Sequence, residues 1–226
     1  MSTLHIRSVP EELYMRVQKL AQTSNRSLSA QVVTMLYQAL EDEERRGEQS
    51  QALRAIRRRR FLPPTGAPGS TDLLRGSPTV SAVPQHCVTD ASVGIKLFID
   101  EPYSEQVQEL FNGLTDDPPA IIYVPDLFFI ECANILWKYT RRFGRPLEDS
   151  LADLADLACL ALRVVSTAEL MEASLALAVQ TGITAYDACY AALAQRLNVP
   201  LLTADKALVK AISWAVWIGD VDIPDR

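Results

Sequence analysis

The sequence predicts an α/β domain with a mainly parallel sheet, preceded by a small strand-helix-helix module. Three observations carry this. After residue 84, short β-rich runs alternate with longer amphipathic stretches, as in sheets whose strands are joined through helices. Before residue 45, one alternating segment is followed by two helical patterns. Between them lies "LPPTGAPGSTDLLRGSP", too rich in Pro, Gly and Ser to form a packed element alone.

In the front module, "TLHIR" alternates, with Leu4 and Ile6 on one face and Thr3, His5 and Arg7 on the other. Pro10, Glu11 and Glu12 open a helix whose apolar positions are Leu13, Val17, Leu20 and Ala21. "TSNRS" ends it, and Ser27 or Ser29 caps a second helix bearing Leu28, Val32, Leu36, Ala39 and Leu40. Residues 1–44 are too few to bury a self-sufficient core, so dimerisation is expected. Residues 45–83 read as a linker, with "RAIRRRRF" ahead of the Pro/Gly-rich core at about 61–82. The back domain, 84–226, offers strands at 86–90, 121–124, 162–166, 199–203 and 215–219. Helical patterns fall at 104–114, 126–142, 148–161, 168–181, 184–197 and 205–212.

Composition removes several function classes. At 48% hydrophobic and 22% charged the chain is ordinary for a globular protein. No apolar run approaches the roughly 18 to 20 residues of a membrane span, and "MSTLHIRSVPEEL" lacks a signal-peptide core, so a cytoplasmic location is expected. Cys87, Cys132, Cys159 and Cys189 stand singly, with only His5 and His86 as histidines; this argues against zinc and against a disulfide frame. The net charge of −6 is unevenly divided. Residues 1–79 hold 12 Lys/Arg against 8 Asp/Glu, and residues 80–226 hold 10 against 20. A basic front and an acidic back attract each other or meet different partners.

Four carboxylates stand out. Asp90 follows the first strand in "CVTDASV", Glu131 lies in the largely apolar "PDLFFIECANILWK", Asp187 opens "TAYDACYAALA", and Asp205 follows "PLLTA". Each has a plain reading: Asp90 and Asp205 as helix caps, Thr184-x-x-Asp187 as a capping box, Glu131 on a solvated stripe with Asn134 and Lys138. Asp126 reads as a helix start. In parallel α/β sheets, however, ligands bind beyond the carboxyl ends of the strands, where Asp90 and Asp205 fall. Carboxylates gathered there would repel one another unless a cation neutralised them. Oxygen ligands without His or Cys select Mg²⁺ or Mn²⁺, ions suited to phosphodiester hydrolysis.

The ordered set "TDAS", "PDLFFIECANILWK", "TAYDACYAALA" and "LLTAD" resembles the PIN-domain ribonucleases, in particular the VapC-type toxins of toxin–antitoxin pairs, over about 84–226. The resemblance implies a PIN-like fold and an Mg²⁺-dependent endoribonuclease acting on RNA, with structured tRNA or another stable RNA as the candidate substrate. Asp90, Glu131, Asp187 and Asp205 would be catalytic metal ligands, with Ser92, Asn134 and Thr203 in support.

Residues 2–44 resemble the ribbon-helix-helix antitoxins, of FitA/VapB kind, that accompany such toxins. That implies a homodimer or higher even oligomer whose paired strands enter operator DNA. Thr3, His5 and Arg7 would face the bases, Arg7 as best reader of guanine, and Arg26, Ser27 and Ser29 would grip phosphate. In these pairs an antitoxin arginine inhibits the acidic site; the candidates here are Arg75, favoured because "TDLLR" sets an apolar pair just before it, and the run Arg57–Arg60. The run Arg57–Arg60 reads instead as a contact for nucleic acid, for the acidic back domain, or as a solvated helix end. Toxin and antitoxin are usually separate chains, so joining them implies a nuclease held inactive in cis, released by cutting the linker. The alternative is a DNA-binding transcriptional regulator whose PIN-like half is a silent dimerisation scaffold.

Overall fold

A computed structural model describes residues 4–64 and 81–222. Two compact units divide the chain at Met1–Gly47 and Glu48–Arg226.

In the first unit, α1 (Glu11–Thr23) starts at Pro10 with Glu11 and Glu12 in its first turn, as the pattern predicts. Only its inner stripe, Val17 and Ala21, is buried. Asn25 takes the left-handed conformation that turns the chain. Ser27 then accepts the Ala30 N–H at 3.1 Å to start α2 (Leu28–Arg59). No strand forms in residues 4–10, which hold the described part of the expected strand. A ribbon takes its hydrogen bonds from a second copy, and a single chain offers this segment no such partner.

The helix α2 runs on to Arg59 instead of ending near residue 44. Helix formers fill "EDEERRGEQSQALRAIRRR" apart from Gly47, and Asp42–Arg45 and Glu43–Arg46 pair one turn apart. Its later half belongs to the second unit. There Gln49, Ala52, Leu53 and Ile56, spaced three to four apart, are buried, Ile56 completely. The arginine run meets acids of the α/β domain. Arg57 and Arg60 bond Glu105, Arg60 also bonds Gln108, and Arg59 bonds Asp153 and Asp156. Phe61 exchanges backbone bonds with Phe98 and Asp100. Arg145, fully buried, ties Asp153, Ser150 and the Phe98 carbonyl together and lies 5.7 Å from the Phe61 ring centre.

The remaining elements keep the predicted alternation. They are β1 (Ser81–Ala82), β2 (His86–Thr89), α3 (Ala91–Gly94), α4 (Ser104–Asn112), β3 (Ile121–Pro125), α5 (Leu127–Phe143), α6 (Leu147–Ala158) and β4 (Arg163–Val165). After them come α7 (Met171–Thr181), α8 (Ala185–Leu197), β5 (Leu201–Thr203), α9 (Lys206–Ala211), β6 (Ala215–Trp217) and β7 (Val221–Asp222). Five strands form one parallel sheet in the order β4-β3-β2-β5-β6; β1 and β7 pair separately. The registers Thr89↔Leu202 and Thr203↔Trp217 align the carboxyl ends of β2, β5 and β6. Chain order runs outward from β2 through β3 to β4, then restarts at β5 on the other flank. The β2/β5 boundary is therefore the switch point where such sheets open a crevice. The helix α8 packs on β2, β3 and β5, and its buried run Ala188–Ala194 is largely alanine, which lets it lie close.

Candidate active site

Three elements deliver acids to the crevice. Asp90 follows β2 and caps α3, its Oδ1 accepting the Val93 N–H at 3.0 Å and the Ser92 hydroxyl at 2.6 Å. Its Oδ2 accepts from Thr203 Oγ1, at the end of β5, at 2.5 Å. Both oxygens are thus fixed from two strands across the switch point. Ser92 Oγ also accepts the Ala204 N–H at 2.9 Å, and Thr203 Oγ1 the Asp205 N–H at 2.9 Å. Burial pushes the Asp90 carboxyl up to about 6, against these bonds and with the repulsion of Asp187 adding to the rise.

Glu131 comes from α5, which is held close to α3 at Gly94. A Cβ there would lie 2.5 Å from the Phe128 ring, so only glycine lets the two helices approach this closely. Half-buried, Glu131 accepts the Tyr190 hydroxyl at 2.6 Å. Burial and then Asp187 raise its carboxyl above the usual range, opposed by that hydroxyl. Asp187 sits in the first turn of α8; Thr184 Oγ1 accepts its N–H at 3.1 Å and donates to its carboxylate at 2.7 Å. So Asp187 repels both Asp90 and Glu131, and no Lys or Arg among the described residues pairs with any of the three.

Asp205 is more exposed. It caps α9, its Oδ1 accepting the Ala207 and Leu208 N–H groups, and connects to the acids through its own N–H and Thr203. Asn134 is exposed one turn beyond Glu131. Asp126 precedes α5 without capping it and accepts the Thr167 N–H at 3.1 Å; the Thr167 hydroxyl first, and then that N–H, hold its carboxyl below the usual range. Its position at a helix start was legible in the sequence, its partner was not. Tyr190 went unnoticed in the sequence, though it stands three residues after Asp187 among small residues.

The donor set is entirely hard oxygen, which fits a divalent cation such as Mg²⁺. Among the described residues no three side chains close on one point as they lie, so the fit is one of chemistry and of mutual repulsion, without a finished coordination shell.

Of the residues expected to read DNA, His5, Arg7, Arg26 and Ser27 are exposed in the first unit; Ser27 is engaged as a cap, and Arg26 lies 3.4 Å from the Thr34 hydroxyl. Thr3 and Arg75 lie outside the described residues. The run Arg57–Arg60 makes its described bonds to Glu105, Gln108, Asp153, Asp156 and the Leu97 carbonyl, not to the acids of the crevice.

Comparison with known proteins places the chain in a family. Residues 87–212, more than half of the chain, match the PIN domain. The chain belongs to the PIN domain family. All three acids of the crevice, with Asp205, fall inside that PIN match. This PIN domain is 36% identical over 126 residues to Ribonuclease VapC3 of Pyrobaculum aerophilum, across 54% of this chain and 92% of that protein. A crystal structure of a protein from the same organism is similar at a TM-score of 0.44 and 23% identity, covering 59% of this chain and 90% of that one. No helix among the described residues is long and apolar enough to cross a membrane.

Proposed function

We propose that this PIN protein is a metal-dependent endoribonuclease of toxin type, joined to its own antitoxin-like segment. The observation that carries the reading is the group Asp90, Glu131 and Asp187, in which Asp187 repels the other two and no Lys or Arg among the described residues pairs with any of them. Its likeness to a protein named as a ribonuclease points to RNA. Asp90, Glu131, Asp187 and Asp205 would hold Mg²⁺ or Mn²⁺, which when bound supplies positive charge for the phosphate and acidity for the attacking water. The chain's own residues prepare for this. Ser92, the Val93 N–H and Thr203 fix the Asp90 carboxylate, and Tyr190 aims Glu131.

The first unit supports a ribbon-helix-helix dimer on operator DNA. Leu4 and Ile6 are 70% and 58% exposed, and Leu13, Leu20, Leu36 and Leu40 are also uncovered, an apolar surface suited to a second copy. Inhibition in cis by Arg75 is retained as part of the proposal; no contact among the described residues bears on it.

The test is cleavage of RNA, with DNA alongside, in Mg²⁺ by the intact chain and by its Arg75→Ala variant, in which release from inhibition in cis should raise cutting. Asp187→Asn should abolish cutting, by a factor of about 10³ or more, and EDTA should do the same reversibly. Cleavage that survives Asp187→Asn would sink the metal mechanism. A folded chain that binds DNA but cuts nothing, as the parent and as Arg75→Ala, would make it a regulator with a silent PIN domain.

A further inference from the structure

Beside the acids lies a second feature that the mechanism leaves unused. A cavity of about 350 Å³ opens next to Asp205, walled by Lys96, Tyr103, Lys206 and Trp217. Its size falls at the lower end of the roughly 300 to 1,000 Å³ of small-ligand pockets. Tyr103 meets Trp217 edge-on, ring centres 5.0 Å apart. Lys206 Nζ stands 4.8 Å from the centre of the Trp217 ring. Lys96 is nearly buried and held at 2.8 Å by Glu101.

Two backbone features show that this wall is built to a close tolerance. Tyr103 adopts φ +74°, a left-handed conformation that a bulky residue enters at a cost. Gly219 lies so near that a Cβ there would come 2.9 Å from the Tyr103 ring and 3.0 Å from Trp217. The cavity is also wired to the acids. The Asp205 N–H donates to Thr203 Oγ1, which donates to Asp90. Lysines are unusual here, since residues 80–226 carry twice as many acids as bases.

We propose that this cavity is a nucleotide subsite, taking the base and phosphate of the residue next to the scissile bond, with Trp217 and Tyr103 against the base and Lys206 on the phosphate. The proposal rests on the ribonuclease reading and deepens it. Aromatic faces accept any base, and a lysine supplies a point charge for phosphate. A phosphate would draw Lys206 from the Trp217 ring and open that face for stacking.

The test separates the subsite from the catalysis. The ¹⁵N-labelled full chain in EDTA is titrated with adenosine 5′-monophosphate, inorganic phosphate or adenosine. The readout is the Trp217 indole N–H resonance, assigned by its loss in Trp217→Phe. The nucleotide should move that signal and saturate, phosphate alone should not reproduce the shift, and Lys206→Ala should weaken binding about fivefold. In cleavage of a short RNA, Lys206→Ala should raise KM by a similar factor with kcat nearly unchanged. No shift at tens of millimolar nucleotide, an identical shift with phosphate, or a shift indifferent to Lys206→Ala overturns the subsite, even if RNA is cut. Nucleotide binding that obeys these rules in a chain that cuts no RNA, as the parent and as Arg75→Ala, upholds the cavity as a nucleotide site and overturns the ribonuclease reading instead.

Discussion

Burial holds the Asp90 carboxyl at about 6 against an ordinary 3.8, so at neutral pH its charge costs the metal-free fold about 3 kcal/mol. Between those values the native state keeps a proton that the unfolded chain has lost, so stability falls as pH rises from about 4 to about 6. Asp90→Asn should remove that slope. In EDTA at pH 7 the variant should unfold at the same temperature as the parent or higher, while losing RNA cleavage. Taking the difference between parent and variant isolates Asp90 from other acids; a variant clearly less stable at pH 7 would show that the Ser92 and Thr203 bonds outweigh desolvation. Tyr190 poses the complementary case, since it touches Glu131 and lies in the wall of no cavity described. Tyr190→Phe should leave the fold intact and raise the Mg²⁺ concentration for half-maximal cleavage about tenfold or more. At this scale the sequence was informative wherever a carboxylate also had to cap a helix: Asp90 and Asp205 sit where a strand ends and a helix starts. It was silent on Tyr190, because a tyrosine among alanines reads as packing until its hydroxyl is seen to reach across to α5.

The elements of the back domain were legible because parallel strands buried on both faces appear as short apolar runs, and the helices between them carry the 3.6-residue stripe. All five strands of the main sheet fall within a residue or two of where the pattern placed them. What the pattern could not supply is how close elements stand. Gly94 sets the approach of α3 to α5, hence of Asp90 to Glu131. Gly94→Ala should push against the buried Phe128 ring, costing about 1 to 3 kcal/mol and lowering kcat because the two acids move apart; unchanged activity would mean that the site tolerates the shift. The longer error concerns α2. Its second half looked like a charged helix end because four arginines dominate it, and they masked the stripe of Gln49, Ala52, Leu53 and Ile56. Ile56 is fully buried, so Ile56→Ala should destabilise the second unit by about 2 to 5 kcal/mol, read as a lower midpoint in urea. A change under about 0.5 kcal/mol, the usual range of surface substitutions, would show that the segment merely rests on the surface.

At the scale of the whole molecule, the imbalance of charge has a partial structural account. Within the second unit the basic run 57–60 closes on Glu105, Asp153 and Asp156, so part of the attraction between basic front and acidic back is spent inside one folded body. This bears on how a cut could release activity. A protease acting between residues 64 and 81 would leave 48–64 attached to the front piece, yet still seated through Ile56, the Arg59 ion pairs and the Phe61 backbone bonds. Cutting alone therefore should not separate the pieces. A chain nicked there should elute from a sizing column as one species at micromolar concentration and come apart only in denaturant. A back fragment starting at Val80 should be less stable than the nicked complex, since it lacks Ile56 and leaves Asp153 buried with Arg145 as its remaining described ion-pair partner. Spontaneous separation of the nicked pieces would show that this contact is weak. Co-elution together with a rise in RNA cleavage would place the release at the cut segment itself rather than at the docked helix.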